Sequence, residues 1–240
     1  VLPPSFPYGG MENPLLVFLT PTLLAGDRSQ VNVVDHELGH FWSGNLVTNR
    51  DWNNFWINEG FTVYIERRLL EALEGRDSSE MASTNELSEL EELIQEKMSQ
   101  GQSKDTHLVL DLKGRDPDDG VNPIPYEKGY LFLRMIEETV GREAFDAFLN
   151  KYFNRFEFQS VGTEDFLRFL HENLICGDKK LEEKLMLNAW LYGPGLPTNV
   201  PRARSIRLEH AKAQVDRFVS KGTPARELET KDWSTLQWVY

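Results

Sequence analysis

Two histidines lie four residues apart in the segment VVDHELGHFWSGN, which runs from Val33 to Asn45. They are His36 and His40, in a chain that has five histidines. Residues four apart on a helix project from one face at roughly 6 Å, so both imidazoles could bind one metal ion. Glu37 points partly aside and could contact a water on that ion. The spacing predicts a metal centre, although His-Glu-x-x-His also arises by chance.

A catalytic zinc usually takes three protein ligands and keeps a fourth position for water. The segment NFWINEGFTVYIERR supplies a third donor in Glu59, which follows His40 after 18 intervening residues. Glu59 opens a predicted second helix that ends near Leu73, with apolar residues to pack against the first at Phe61, Val63, Tyr64 and Ile65. The alternative is a solvated glutamate, which the helix dipole favours in a first turn.

Several further segments carry a family resemblance. They are VLPPSFPYGGMENP at the start, TPTLLAGDRS before the histidines, GNLVTN after them, DPDD, PYEKG and AWLYGPGLP. Together with HELGH and the later NEG, they resemble the gluzincin zinc aminopeptidases of the aminopeptidase N superfamily, in the leukotriene A(4) hydrolase and aminopeptidase B branch. The matches span most of residues 1 to about 200. The resemblance implies a mainly α, thermolysin-like zinc peptidase catalytic domain with one Zn²⁺.

The resemblance also implies chemical roles. It makes His36, His40 and Glu59 the zinc ligands and Glu37 the general base that takes a proton from the attacking water. Tyr126 in PYEKG matches the tyrosine that donates a hydrogen bond to the oxyanion, a donor whose loss typically costs about 3 kcal/mol. Without the resemblance, Tyr126 would be interpreted as a helix-start tyrosine packed against the core.

A second group of residues is implied to bind substrate. Glu12 matches the family residue that binds the α-ammonium of a peptide, and Gly9, Gly10 and Met11 match the backbone strand that pairs with the peptide. Without the resemblance, this stretch is a turn. Asp118 in DPDD matches an aspartate of the substrate cleft and would favour basic first residues, although acidic loop residues are commonly just solvated.

One position departs from the family pattern. Leukotriene A(4) hydrolase has a tyrosine five residues before the PYEKG tyrosine, and this chain has Val121 there. The departure puts a lipid epoxide hydrolase activity in doubt and leaves the peptidase untouched. Glu66, two turns after Glu59, is either a partner that orients a ligand histidine or an exposed helix glutamate.

Composition narrows the class of protein. With 240 residues, 40% of them hydrophobic, the chain can bury a sizeable core. Its net charge of -12 disfavours a nucleic acid partner and suits substrates with a cationic end. A single cysteine, Cys176, cannot form an internal disulfide and is predicted to be a small packed side chain in a cytoplasmic protein. No apolar run approaches the ~18 residues of a membrane span, and no signal peptide is visible.

The chain is predicted to divide near the Gly193–Pro197 turn. Residues 1–197 form the catalytic domain, and 198–240 form a linker and the beginning of a helical C-terminal domain. The resemblance implies an N-terminal β domain ahead of this segment and a helical domain after it. The expected partners are therefore peptides with a free N-terminus and the missing N- and C-terminal domains of the full-length chain.

The pattern of apolar residues and breakers predicts a mainly helical chain. It gives a short buried strand at Leu15–Leu19 and a metal-binding helix at Val31–Ser43. A capping box at Ser83–Glu86 predicts the start of a helix that stops at Gly101. Further expectations are a loop at Lys113–Pro125, helices at about 127–139, 142–155, 163–174 and Leu181–Trp190, and an exposed helix at Ile206–Val219.

Two classes of function remain open at this stage. The first is a zinc aminopeptidase, with lipid epoxide hydrolase activity as its variant. The second is a catalytically silent fragment that serves as an interaction module. Metal content and turnover of an aminoacyl chromogenic amide would separate them.

Overall fold

The computed structural model describes residues 1–26 and 28–240 and confirms the mainly α class. Within the described ranges the strands are two short pairs: β1 (Gly10–Met11) with β2 (Phe18–Leu19), antiparallel, and β3 (Val47–Asn49) with β4 (Gln159–Val161), parallel. The helices are α1 (Val31–Gly39), α2 (Trp56–Glu74), α3 (Arg76–Ser99), α4 (Gly129–Val140), α5 (Arg142–Phe156), α6 (Thr163–Leu170), α7 (Lys179–Leu185), α8 (Leu187–Tyr192), α9 (Ile206–Lys221) and α10 (Thr235–Val239). None of these helices is both long and apolar enough to cross a membrane.

Helix α2 runs through the centre of the molecule and packs against α1, α3 and α4. Its first half is buried on nearly all sides, and Trp56, Ile57 and Phe61 have no exposed surface. Around them lies an aromatic core from α4, α5 and α6, in which the Phe61 and Tyr152 rings stack at 5.2 Å. This core fixes the position of α2.

Two glycines let neighbouring segments approach α2 at the level of the backbone. A Cβ on Gly60 would lie 2.7 Å from the Cα of Gly129, so only glycine fits where α2 crosses α4. A Cβ on Gly39 would lie 3.1 Å from the carbonyl oxygen of Thr62. The end of α1 and the turn before α4 are thereby held close to the first turns of α2.

Several predicted boundaries are wrong. Leu15 is 98% exposed with φ of 66°, and the strand is only Phe18–Leu19. The metal-binding helix ends at Gly39 rather than Ser43, and α2 begins at Trp56, three residues before Glu59. The segment Ser83–Glu86 lies inside α3, where the Ser83 hydroxyl donates to the carbonyl of Ser79 four residues back instead of capping a helix.

Two further expectations fail in the second half of the chain. The predicted helix Leu181–Trp190 is two helices, α7 and α8, because Met186 takes a left-handed conformation with φ of 48°. The exposed helix predicted at Ile206–Val219 is present as α9, which is largely exposed and buries Leu208, Ala211 and Gln214 on one side. Cys176 also has a left-handed backbone and is exposed, not packed. The division of the chain near residue 197 stays a prediction.

Candidate metal centre and active site

Three side chains from two helices converge at the end of α1. His36 Nε2 lies 3.1 Å from His40 Nε2 and 3.3 Å from Glu59 Oε2, and His40 Nε2 lies 3.6 Å from the same oxygen. His40 comes directly after α1 but stays in helical register, because its N–H donates to the His36 carbonyl at 3.2 Å. The two helices therefore bring together the three residues that the sequence singled out as ligands.

The hydrogen bonds of the two imidazoles fix which nitrogen carries the proton. His40 Nδ1 lies 2.9 Å from the backbone carbonyl of Ser43, which can only accept, so Nδ1 is the donor. His36 Nδ1 lies 3.1 Å from Glu66 Oε2 and donates to it in the same way. When the imidazoles are neutral, both Nε2 atoms are therefore unprotonated acceptors that face each other. This is the tautomer in which histidine binds a metal.

The centre has the chemistry of a cation site. The Nε2 atoms of the two imidazoles and a buried oxygen of Glu59 that has no hydrogen-bond partner lie around one small space. Burial disfavours a protonated His36, but Glu59 and Glu66 outweigh it and raise the pKa of His36 to about 10, so the two carboxylates favour a positive charge at this position. Two nitrogens and a carboxylate oxygen are the donor set of a catalytic zinc. The residues present fit that ion.

Glu37 lies beside this donor set and is buried. Its Oε2 has no hydrogen-bond partner, and a Cβ on Gly10 would lie 2.1 Å from its Oε1. Burial raises the pKa of Glu37 to about 7, opposed by His36 and assisted by Glu12 and other carboxylates. A side chain in place of Gly10 would displace this carboxylate, which ties the predicted substrate strand to the predicted base.

Tyr126 lies in the π-helical turn Ile124–Lys128, immediately before α4. Its ring stacks on that of His36 at 6.1 Å and meets the edge of Phe55 at 5.9 Å. Burial, together with the neighbouring Glu59, raises the pKa of the Tyr126 phenol. The phenol therefore stays protonated and can donate a hydrogen bond into the centre.

Glu12 follows β1 and lies on the other side of His40. Its Oε1 is 3.7 Å from His40 Nδ1, and Asn45 Nδ2 donates to its backbone carbonyl at 2.8 Å. Gly9 is held on the same ribbon, since its carbonyl accepts from the N–H of Thr20 at 3.0 Å. Met11 is 40% exposed. The segment predicted to bind substrate thus borders the metal centre.

Asp118 lies on a separate turn of the chain. It is exposed in the 3₁₀ turn Pro117–Gly120, where its N–H donates to Asp116 Oδ1 and its carbonyl accepts from the N–H of Val121. Val121 is itself 47% exposed. A role for Asp118 in the substrate cleft stays a prediction.

Sequence reasoning missed two charged residues next to the centre. Glu66, one of its candidates, contacts His36 as described, but Arg67 and Glu127 were not considered. Arg67 donates to both Glu66 and Glu127, and all three are buried. A usable signal was present: three consecutive charges, Glu66 to Arg68, separate the apolar residues Val63–Ile65 from Leu69 and Leu70.

Comparison with known proteins identifies a matching family model and similar curated proteins. The peptidase family M1 domain matches residues 1–190. A leucine aminopeptidase 2 of Yarrowia lipolytica is 48% identical over 210 residues, which cover 84% of this chain and 32% of the relative. A leukotriene A-4 hydrolase homolog of Botryotinia fuckeliana is 40% identical over 239 residues, 99% of this chain and 36% of the relative. The chain spans about a third of the length of these curated relatives.

Solved structures of proteins from the same family are also similar to this chain. Yeast LTA4 hydrolase in complex with bestatin superposes with a TM-score of 0.85 at 37% identity, over 97% of this chain and 39% of that one. An M1 zinc metallopeptidase of Deinococcus radiodurans, 24% identical over 82% of this chain and 39% of its own, shares the fold with a TM-score of 0.61. By its sequence match and by its fold, this chain belongs to peptidase family M1.

Proposed function

We propose that this chain carries the catalytic centre of a zinc aminopeptidase, which hydrolyses the N-terminal peptide bond of peptides. One observation carries the proposal. The ligand atoms of His36, His40 and Glu59 lie within 3.1–3.6 Å of one another, with the buried carboxylate of Glu37 beside them. The names of relatives, leucine aminopeptidase 2 among them, support it.

In this proposal His36, His40 and Glu59 hold one zinc ion, and Glu66 and Ser43 orient the two imidazoles from behind. When bound, zinc supplies Lewis-acid chemistry, polarising the scissile carbonyl and lowering the pKa of a water toward neutrality. A zinc of this kind is in keeping with the M1 zinc metallopeptidase among the structural neighbours.

The protein's own groups move the protons and stabilise charge. Glu37 takes the proton of the attacking water and passes it to the leaving amine. Its burial and its lack of a hydrogen-bond partner on Oε2 leave it free to accept that proton. Tyr126 donates a hydrogen bond to the oxyanion as it forms on the substrate, and its stacking on His36 holds the phenol at the centre.

The restriction to N-terminal residues comes from Glu12 and β1 in this proposal. The Glu12 carboxylate, close to His40, pairs with the α-ammonium of the substrate. Gly9, Gly10 and Met11 present their backbone to the peptide, and Gly10 allows the close approach of Glu37. Asp118 is a weaker element, proposed to favour basic first residues. We also propose a cytoplasmic location, which rests on the single cysteine of the sequence.

The lipid epoxide hydrolase alternative has support from the name of one relative and from a yeast structure. Against it stands Val121, which offers no hydroxyl where leukotriene A(4) hydrolase has a tyrosine. We propose that conversion of a lipid epoxide to a diol is negligible or poorly controlled. Clean production of a single dihydroxy product would refute this.

The proposal is tested with free and N-acetylated forms of the same peptide, in the full-length protein with any sequence that flanks this chain. Acetylation removes the α-ammonium charge, so the acetylated peptide should be a poor substrate. Glu12→Ala should keep zinc and lose about 2 to 4 kcal/mol in kcat/KM on the free peptide, the usual loss for one partner of a desolvated charge pair. It should also narrow the difference between the two peptides.

Exposed Glu92 offers a matched control, and Glu92→Ala should leave kcat/KM unchanged for both peptides. Internal cleavage of the acetylated peptide at the rate of the free one would defeat the aminopeptidase assignment. Bound zinc without turnover of either peptide would favour the catalytically silent module.

A further inference from the structure

Three buried charged side chains connect the metal-ligand side of the centre to the turn that carries Tyr126. His36 Nδ1 donates to Glu66 Oε2 at 3.1 Å, and Arg67 Nη1 donates to the other oxygen of Glu66. Arg67 Nη2 then donates to Glu127 Oε1 at 3.2 Å. Glu127 is the neighbour of Tyr126 in the chain. The guanidinium of Arg67 thus contacts two carboxylates, one beside the proposed metal ligand His36 and the other next in the chain to Tyr126.

The geometry requires an arginine. The two terminal nitrogens of a guanidinium diverge in one plane, so they can reach two carboxylates on different elements at once. One of these carboxylates is on α2 and the other is in the turn Ile124–Lys128. The ring of Tyr130 lies 5.7 Å from the Arg67 guanidinium carbon and supports the flat face. A lysine ammonium has a single nitrogen and would have to share it.

Burial makes this arrangement costly to keep for stability alone. Glu66, Arg67 and Glu127 are 5%, 5% and 7% exposed, and taking such charges out of water offsets most of their mutual attraction. The adjacent Arg68 differs: it pairs with Asp146 through two nitrogens, its side chain is 29% exposed, and its partners lie away from the centre. The same helix therefore offers a matched arginine without the connection.

We propose that Arg67 is a positioning residue that sets the metal ligand His36 and the oxyanion donor Tyr126 in register with each other. It acts through Glu66 on one side and Glu127 on the other. The inference rests on the proposed function, because it assigns Arg67 to the same centre.

The test uses four methionine variants of the full-length protein, which remove charge while keeping a long side chain. They are Arg67→Met, Glu66→Met, Glu127→Met and, as control, Arg68→Met. Two quantities are measured: the rate at which zinc is lost to a chelator, and kcat and KM on a free aminoacyl amide at saturating zinc. The first quantity needs no turnover.

Arg67→Met should speed zinc loss and lower kcat by about 10-fold each, with little change in KM, the lower end of the effect of a group that orients a ligand. Glu66→Met should speed zinc loss, and Glu127→Met should lower kcat without speeding zinc loss. Because Arg67 acts on kcat through Tyr126, Arg67→Met should change kcat by less than about 3-fold in the Tyr126→Phe background. Arg68→Met should match the parent protein in both quantities.

Two results would overturn the inference. One is an Arg67→Met protein indistinguishable from Arg68→Met. The other is an equal loss of kcat from Arg67→Met in the parent and Tyr126→Phe backgrounds, which would mean that Arg67 does not act through the tyrosine. If Arg67→Met does not fold, the comparison of Glu66→Met with Glu127→Met decides the inference. Faster zinc loss in the first variant and a lower kcat without faster zinc loss in the second support the connection, and the same pattern in both variants refutes it. A parent that binds zinc without turnover refutes the proposed aminopeptidase, and zinc loss from Arg67→Met against Arg68→Met then decides this inference.

Discussion

The two sides of α2 bury very different chemistry. One side presents Glu59, Thr62 and Glu66 to the metal centre, and the other presents Trp56 and Phe61 to the aromatic core. All five are buried. Burying an aromatic ring stabilises the fold by roughly 1.5–3 kcal/mol, whereas burying a carboxylate costs free energy unless a partner compensates.

The contrast teaches how the site is held in place. The aromatic side holds the helix rigid, and the polar side uses that rigidity to keep its carboxylates close to the histidines. Damage to the aromatic side should therefore lower stability, and damage to the polar side should lower function. The predictions that follow test this division, from the largest expected effect to the smallest.

The polar side is tested first by Glu37→Gln, which keeps the size of the side chain and removes the proposed general base. We expect kcat to fall by about 10³- to 10⁴-fold, the upper part of the range for general acid–base catalysis. Zinc content, measured by atomic absorption, should stay at one ion per chain because the ligands are untouched. Loss of zinc in parallel with activity would make Glu37 a structural residue and break the comparison.

The aromatic side is tested by Phe61→Ala. The ring is fully buried and stacks on Tyr152, so its removal should lower the free energy of unfolding by about 3–5 kcal/mol in a denaturant titration. The folded fraction should still bind stoichiometric zinc. A variant of normal stability that has lost its metal would show that the two sides do not divide as described.

The role proposed for Tyr126 as oxyanion donor is tested by Tyr126→Phe, which removes one hydroxyl and keeps the stacked ring. We expect kcat to fall by about 10²-fold with little change in KM, because the hydrogen bond strengthens only as the oxyanion forms. Steady-state kinetics on a free aminoacyl amide measures both constants. An unchanged kcat would show that Tyr126 only packs against the core and does not stabilise the oxyanion.

Lys128 sharpens the comparison, since it is a buried amine that donates to the carbonyls of Thr106 and Gly193 at 2.7 and 3.0 Å. Burial lowers the pKa of Lys128 to about 7 from 10.5. Between these values the unfolded chain binds the proton and the folded chain does not, so the contribution of Lys128 to stability should rise with pH by at most about 1.4 kcal/mol per unit. His36, whose pKa is raised, contributes with the opposite sign in this range, so the test is a difference between variants. From pH 7 to 8 the free energy of unfolding, measured by denaturant titration, should change less favourably in Lys128→Met than in the parent protein, whereas Lys151→Met, at an exposed lysine, should follow the parent. An equal change in the two variants would assign the pH dependence to other groups.

The sequence predicted the polar side of α2 better than its surroundings. The proposed ligands followed from helical periodicity and from the resemblance, because both describe residues that are close together in the chain or fixed by a motif. The role of Arg67 could not be predicted, because it depends on a contact with Glu127. That residue is 60 positions away in the chain and is brought close only by packing. The predictions at Ser83 and Met186 were wrong for another reason. A local sequence pattern does not show that tertiary contacts continue a helix through Ser83, or that a left-handed residue ends one at Met186.

The most direct test of the account is the position of zinc, measured by anomalous diffraction at the zinc edge from crystals of the full-length protein. We expect one peak about 2.0–2.2 Å from His36 Nε2, His40 Nε2 and a carboxylate oxygen of Glu59, and its loss in Glu59→Ala. A peak bound elsewhere, or one of full occupancy at the same place in Glu59→Ala, would contradict the account.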